Sequence, residues 1–268
     1  MRRVVVDLRP KECYDEGHLE GAFSFPWEDI QNESCGLPPR ETLLTAIVDE
    51  RIDQGSVTAY LSRLQYAALE VRMLGQHEEM VRRPPEGFCW VPNPFLVSVL
   101  RFVEESSSGI SFALDIGSGS GRDMVFLASR GWHVVGIENR RRLIWQGETL
   151  ARKHDVSGRV AYLHSDIKEA YPVRSGSVDL VHVCRFLHRP SLSRLLELPR
   201  RGGHLVYSHF LEGCQHTKVG HPSSPAGFWR RGELRSLLED AGYDVIHEEE
   251  TTLPDTRPFL HILARRAV

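Results

Sequence analysis

The chain has 268 residues, 41% of them hydrophobic and 26% charged, and 33 Lys+Arg against 36 Asp+Glu give a formal net charge of −3. This balance gives no general pull toward nucleic acid or an anionic membrane, and the length suits one large domain or two smaller ones. No apolar run approaches the roughly 18 residues of a membrane span, and Val4-Val5-Val6 turns acidic at Asp7, too early for a signal-peptide core. The cysteines, Cys13, Cys35, Cys89, Cys184 and Cys214, form no CxxC pair. They read as reduced thiols of a cytoplasmic protein, and no metal site is expected.

Taken in chain order, Val4–Asp7 predicts a buried strand, Leu43–Val48 a second, and Val57–Leu69 carries helical periodicity. Polar Gly75-Gln76-His77-Glu78-Glu79, the breaker Arg82-Arg83-Pro84-Pro85-Glu86-Gly87 and Pro92-Asn93-Pro94 predict a linker. The expected boundaries are a domain over 1–75, a linker over 76–93 and a second domain over 94–268. There Phe95–Val103 predicts a lead-in helix. Strands are expected at Phe112–Ile116, His133–Ile137, Arg159–Leu163, Val178–Val183 and Gly203–His209. Helices are expected at Arg122–Ser129, Arg141–Lys153, Leu192–Leu198 and Glu233–Ala241, and Val245–His247 with Phe259–Leu263 should close the sheet as an antiparallel edge. The alternation predicts an α/β fold, a Rossmann-like seven-stranded, mostly parallel sheet with helices on both faces.

The stretch Ala113-Leu114-Asp115-Ile116-Gly117-Ser118-Gly119-Ser120-Gly121-Arg122-Asp123 places a glycine at every second position between a strand and a helix. Such glycines permit positive φ and close approach of a ligand. A dinucleotide fingerprint needs its third glycine one position later, where Arg122 stands. Asp115 would also repel a pyrophosphate. Acids close three successive strands: Asp115, Glu138 and Asp166. Glu138, 138 − 121 = 17 residues past Gly121, can accept both ribose hydroxyls. Asp166 can accept from an adenine amino group, with Ile167 on the ring. Together they point to a nucleoside cofactor of positive charge, for which S-adenosylmethionine is the candidate.

Residues of about 90–266 resemble class I S-adenosylmethionine-dependent methyltransferases, in a subgroup similar to the tellurite-resistance-type and related small-molecule enzymes. The resemblance is carried by Trp90-Val91-Pro92-Asn93-Pro94-Phe95-Leu96, the glycine loop, Gly136-Ile137-Glu138, Ser165-Asp166, Cys184-Arg185-Phe186-Leu187-His188-Arg189 and Arg201-Gly202-Gly203-His204-Leu205-Val206-Tyr207. It implies that Asp115, Gly117, Ser118, Gly119, Glu138, Asn139, Asp166 and Ile167 hold the cofactor, with Cys184 and Arg185 flanking its sulfonium. Arg122 and Asp123 are expected to cap the helix. Catalytic candidates are His188, Arg185, Tyr207 and His209. The plainer alternatives are a helix-start residue for His188, a surface residue for His209 and an inert core thiol for Cys184.

The loop Val183-Cys184-Arg185-Phe186 lacks the Asn/Asp-Pro-Pro-Tyr/Phe of enzymes that methylate nucleobase amines, so no DNA partner is expected. Arg140-Arg141-Arg142 reads as a solvated face. The segment from Phe210 to Trp229 is expected either to cover an acceptor or to be anchored through Phe228 and Trp229.

The N-terminal Asp7-Leu8-Arg9, with Gly17-His18-Leu19-Glu20-Gly21-Ala22 and Pro26-Trp27, resembles a rhodanese-like domain over about 4–75. Such domains place a nucleophilic cysteine after the strand that here is Leu43–Val48. The loop Asp49-Glu50-Arg51-Ile52-Asp53-Gln54-Gly55-Ser56 has none, and Cys13 and Cys35 lie elsewhere in the chain. This domain is expected to be catalytically silent and to offer a surface to the enzyme domain or a protein partner. The resulting expectation is methyl transfer to a small-molecule acceptor, with no membrane partner. The alternatives are a non-catalytic cofactor-binding interaction protein, an NAD-linked oxidoreductase, and a macromolecular acceptor.

Overall fold

The computed structural model describes residues 2–30, 32, 34–75, 77–106, 111–169 and 172–268. The chain divides into two compact units, Met1–Val91 and Pro92–Val268.

In the first unit, β1 (Arg3–Asp7), β2 (Ala22–Ser24), β3 (Leu43–Val48) and β4 (Ala68–Met73) form a parallel sheet in the order β2-β1-β3-β4, with helices α1 (Lys11–Glu16) and α2 (Gln54–Arg63). Alternation along β1 buries Val4 and Val6, which share a core with Leu44, Ala46 and Val48 of β3 and Val57 and Leu61 of α2. The Asp53 carboxylate caps α2 by accepting the Ser56 N–H at 2.7 Å. The helix stops at Arg63, short of the Leu69 that the apolar spacing predicts. Gln65 takes φ +58° and the chain turns into β4, where Leu69 and Val71 pack on the core at strand spacing. The expected linker over 76–93 is part of this unit as far as Val91. The Val81 N–H donates to the His18 carbonyl at 2.8 Å, and Cys89 lies in the core.

The second unit opens with α3 (Pro94–Glu105), capped by the Asn93 side chain. Then follow β5 (Phe112–Ile116), α4 (Arg122–Ser129), β6 (His133–Glu138), α5 (Arg141–Lys153), β7 (Val160–His164), β8 (Val178–Cys184), α6 (Leu192–Leu196), β9 (Pro199–Phe210), α7 (Glu233–Asp240), β10 (Tyr243–Thr252) and β11 (Pro258–Arg266). The sheet order is β10-β11-β9-β8-β5-β6-β7, and β11 alone runs against the rest. Leu114 and Ile116 share one core with Leu192, Leu195 and Leu196 of α6 and Leu234 and Leu238 of α7. Asp115 and its register partners Gly136 and His182 belong to the opposite face. There Met124 of α4 lies so close to Gly136 that a Cβ would sit 2.4 Å from its sulfur.

Strands β9, β10 and β11 run several residues longer than the sequence predicts. In β9 the chain pairs from Pro199 rather than Gly203, because Gly202 at φ +73° and a register shift opposite Val178/Leu180 carry it past an irregularity. A Cβ on Gly203 would lie 2.9 Å from the Arg200 carbonyl, so glycine is required there. Strand β10 extends through His247, Glu248 and Glu249, polar residues that conceal a strand from an apolar pattern. Chain order reverses at β5, with β6 and β7 on one side and β8 and β9 on the other, and this opens a crevice at the carboxyl ends of the strands. Among the described residues, no helix is long and apolar enough to cross a membrane.

Candidate active site

The glycine loop fills the top of β5, with Gly117, Gly119 and Gly121 at φ +66°, +57° and +71°. Its amides turn inward. The N–H groups of Gly117 and Ser118 donate to the Ile137 carbonyl at 2.9 and 3.2 Å, and that of Gly121 to the Ser118 carbonyl at 3.0 Å. The Gly119 N–H donates to Glu138 Oε2 at 3.0 Å. A phosphate cradle works through free amides, and here four are already committed, which disfavours the NAD-linked reading. Gly121 also admits Tyr162 of β7, whose hydroxyl would lie 1.9 Å from a Cβ on Gly121 and 1.8 Å from one on Gly147 of α5.

One cleft is lined by Gly117, by Ile137, Glu138, Asn139 and Arg140 at the end of β6, by Ser165, Asp166, Ile167 and Lys168 after β7, and by Arg185 and Phe186 after β8. Glu138 Oε1 accepts the N–H groups of Asn139 and Arg140 at 3.0 and 2.9 Å, so only Oε2, shared with Gly119, keeps accepting capacity. The expected two-handed grip on a ribose thereby narrows to one oxygen. Asp166 accepts the Lys168 N–H at 3.0 Å and the Asn139 amide at 3.4 Å, and the Lys168 bond foremost holds its carboxyl below the usual range.

Asp115, expected among the cofactor ligands, does not line this cleft. It is buried, and its Oδ1 accepts from Nδ1 of His182, itself fully buried, at 2.9 Å. Burial alone would depress the His182 imidazole, but the Asp115 carboxylate outweighs it and lifts the ring above its ordinary value. Ser118, Gly119 and Cys184 are likewise absent from the lining, and the buried Ser118 hydroxyl has no hydrogen-bond partner among the described residues. Arg140, 3.5 Å from Glu138, lies in the cleft rather than on a purely solvated face. With Lys168 and Arg185 it sets three cations beside two carboxylates. The ring of negative charge expected from the strand ends is therefore a mixed field. His182 escaped the sequence reading; its one signal is a polar residue within the apolar run Val181-His182-Val183.

At the end of β8, burial pushes the Cys184 thiol up to about 12, which removes it as a thiolate. Arg185 adopts φ +57°, a conformation costing a side-chain-bearing residue about 1–2 kcal/mol. Its N–H is held by the Ser208 carbonyl at 2.8 Å. The Tyr207 hydroxyl, buried, donates to the Phe186 carbonyl at 2.6 Å, so Tyr207 clamps this turn and its proton is committed. Phe186 packs on Gly117, 3.2 Å from where a Cβ would be. His209 is buried rather than superficial: its Nε2–H donates to the Gly227 carbonyl at 3.1 Å, and Nδ1 has no partner among the described residues. Burial lowers it to about 4, leaving a neutral ring that is a poor base. His188 bonds Ser191 Oγ through Nδ1 at 2.8 Å, and its ring lies close enough to bear on Asp166.

Beyond β9, Leu211 bridges Trp229, and the Glu212 N–H donates to the Trp229 carbonyl at 2.8 Å. Phe228 and Trp229 are buried, and the Arg189 guanidinium lies 4.5 Å from the Trp229 ring centroid and donates to the Phe228 carbonyl at 2.7 Å. Both aromatics anchor the segment. Helix α4 starts after Gly121 without a side-chain cap, so the expected capping by Arg122 and Asp123 is not made; Asp123 instead accepts the Asn93 N–H at 2.7 Å. In the first unit, Arg9 grips buried Asp7 with both Nε and Nη2 and donates to the Gly17 carbonyl at 2.8 Å. Helix α1 brings the Cys13 thiol to 2.9 Å from Arg51 Nη2, in the loop after β3, a proximity hidden by 38 residues of separation.

Residues 113–201 match the family model of a methyltransferase domain. Over these residues the second unit is therefore similar to a methyltransferase domain. Solved structures of this fold include a SAM-dependent methyltransferase from Methanosarcina mazei, 19% identical with a TM-score of 0.53, the match covering 62% of this chain and 97% of that one. Magnesium protoporphyrin IX methyltransferase from Synechocystis PCC 6803, with bound S-adenosylhomocysteine (SAH), is 18% identical at a TM-score of 0.52, covering 65% and 81%. The [4+2]-cyclase SpnF is 16% identical at 0.52, covering 64% and 80%. An uncharacterised protein of Schizosaccharomyces pombe is 23% identical over 97% of this chain and 93% of its own length, a span that takes in both units.

Proposed function

We propose that the chain transfers a methyl group from S-adenosylmethionine to a small or medium-sized acceptor, in the tellurite-resistance-type group of small-molecule enzymes, and that a rhodanese-like first unit performs no sulfur transfer. The observation that carries the reading is the cleft itself. Its loop amides are spent, and Glu138 and Asp166 stand at adjacent strand ends. Bound there, the donor supplies a carbon already activated by positive sulfur. The chain's own task is then positioning and exclusion of water. Glu138 Oε2 would accept from the ribose, Asp166 and Asn139 would address the base edge, and Ile167 would pack on the ring. The loop Gly117–Gly119, with Cys184 and Arg185, would border the sulfonium end. Asp115, paired with His182, precedes the loop on β5.

Of the proposed catalytic residues, Tyr207 is a clamp and His209 is neutral and enclosed. Among the described residues His188 Nε2 has no partner, and His188, near Asp166 of the cleft, is the proposed base for a weakly acidic acceptor. The test is turnover of labelled S-adenosylmethionine against fractionated metabolites. His188→Gln is expected to lower kcat about 10²- to 10⁴-fold with donor KM unchanged; equal loss in donor binding would remove His188 from that role. A second reading, a protein that keeps the fold without methyl transfer, is favoured by the likeness to SpnF. Donor binding without turnover on any fraction would select it.

The first unit's reading is supported by its all-parallel sheet and by a loop after β3 that carries an Arg51–Asp49 ion pair in place of a cysteine. A thiosulfate-to-cyanide assay is expected to give no thiocyanate. Activity abolished by Cys13→Ser would overturn this part.

A further inference from the structure

Arg185 poses an electrostatic problem that rests on the donor reading above. It lines the same cleft as Glu138 and Asp166, and a guanidinium next to a sulfonium repels it. The neighbouring arginines are engaged: Arg189 with Glu233 and the Phe228 carbonyl, Arg257 with both oxygens of Asp255 at 3.1 and 2.6 Å. Among the described residues, the Arg185 guanidinium has no hydrogen bond or ion pair, and it lies 5.8 Å from the centroid of the Phe259 ring. Asp255 feels its charge but is already held by Arg257.

The backbone reinforces the point. A residue with a side chain is kept at positive φ, pinned by its own N–H on Ser208 and by Tyr207 on the next carbonyl. Strain of this kind persists where the surroundings over-determine the position. Arg185 is exposed, and a free fork of N–H donors matches a carboxylate in both shape and charge. Such an anion would also offset the repulsion between Arg185 and the sulfonium.

We propose that Arg185 is the carboxylate anchor of the cleft, pairing with a carboxylate of a bound small molecule at the end opposite the nucleoside. The carboxylate belongs either to the donor's amino-acid tail or to the acceptor.

Calorimetric titration of the full chain separates these sources. SAH carries the tail and 5′-methylthioadenosine lacks it. If the tail is the partner, Arg185→Met weakens SAH about ten- to a hundredfold while methylthioadenosine binds within about twofold of wild type, and Arg185→Lys falls between. If SAH is unaffected but Arg185→Met weakens benzoate binding to the SAH-saturated protein, the carboxylate is the acceptor's. Equal weakening of SAH and methylthioadenosine, or no change with either SAH or benzoate, overturns the proposal. Wild-type protein that binds neither nucleoside overturns the donor reading itself, a result distinguishable from any Arg185-specific effect.

Discussion

His182 and Asp115 meet across the β5–β8 ladder with no water-facing surface to share, so each depends on the other. His182→Leu leaves a buried carboxylate unpaired and is expected to cost about 3–5 kcal/mol in urea unfolding. The pair also sets a pH dependence. A folded-state value raised above the unfolded one means that His182 contributes fully below pH about 6.5 and that the contribution is lost as pH rises through its folded value. Unfolding midpoints should therefore decline from neutral to alkaline pH in wild type, and less so in Asp115→Asn. Glu138→Ala should weaken SAH and methylthioadenosine alike, by about tenfold or more, because the nucleoside is common to both. Glu138 and Asp166 were legible in the sequence because strand ends reveal themselves locally. The engagement of Asp115 was not, since its partner lies 67 residues away and only strand register joins them.

Among the elements, the junction of α4, α5 and β7 is closed by one aromatic wedge. Gly147→Ala would press a methyl into the Tyr162 hydroxyl, and a loss of about 1–3 kcal/mol is expected, partly returned by Tyr162→Phe. Additive effects in denaturant unfolding would count against this packing. The glycine at 121 was legible as a turn residue, but its role in admitting a side chain from another strand was not. The strand–helix alternation of the second unit could be read because buried parallel strands are almost wholly apolar, as in Val178–Val183. The end of α2 could not, since Leu64, Leu69 and Val71 continue an apolar pattern while the backbone changes from helix to strand. Residues 76–91 read as a linker because proline and charge dominate them, yet Val81 and Cys89 are held by the first unit.

Across the whole molecule, His154, His204 and His209 are each lowered to about 4 by burial. The unfolded chain binds their protons near pH 6.5 and the folded one does not. Stability is thus expected to fall as pH drops from about 6.5 toward 4, opposite in sign to the His182 effect, leaving a maximum near neutrality. Midpoints that rise toward pH 4 would contradict these burials. The yeast relative aligns across 97% of this chain, a span that takes in both units. The cysteine-free loop after β3 was legible, whereas the approach of Cys13 to Arg51 needed the fold.

The segment between Leu211 and Trp229 leaves the sheet and returns to it at adjoining points, fastened by backbone pairing and by Arg189. A stretch with a common exit and entry can be lengthened, shortened or exchanged while the strands beneath keep their register. Evolution could therefore exchange this segment like an interchangeable cassette, and chimaeras joined at those two residues would show whether it governs selectivity.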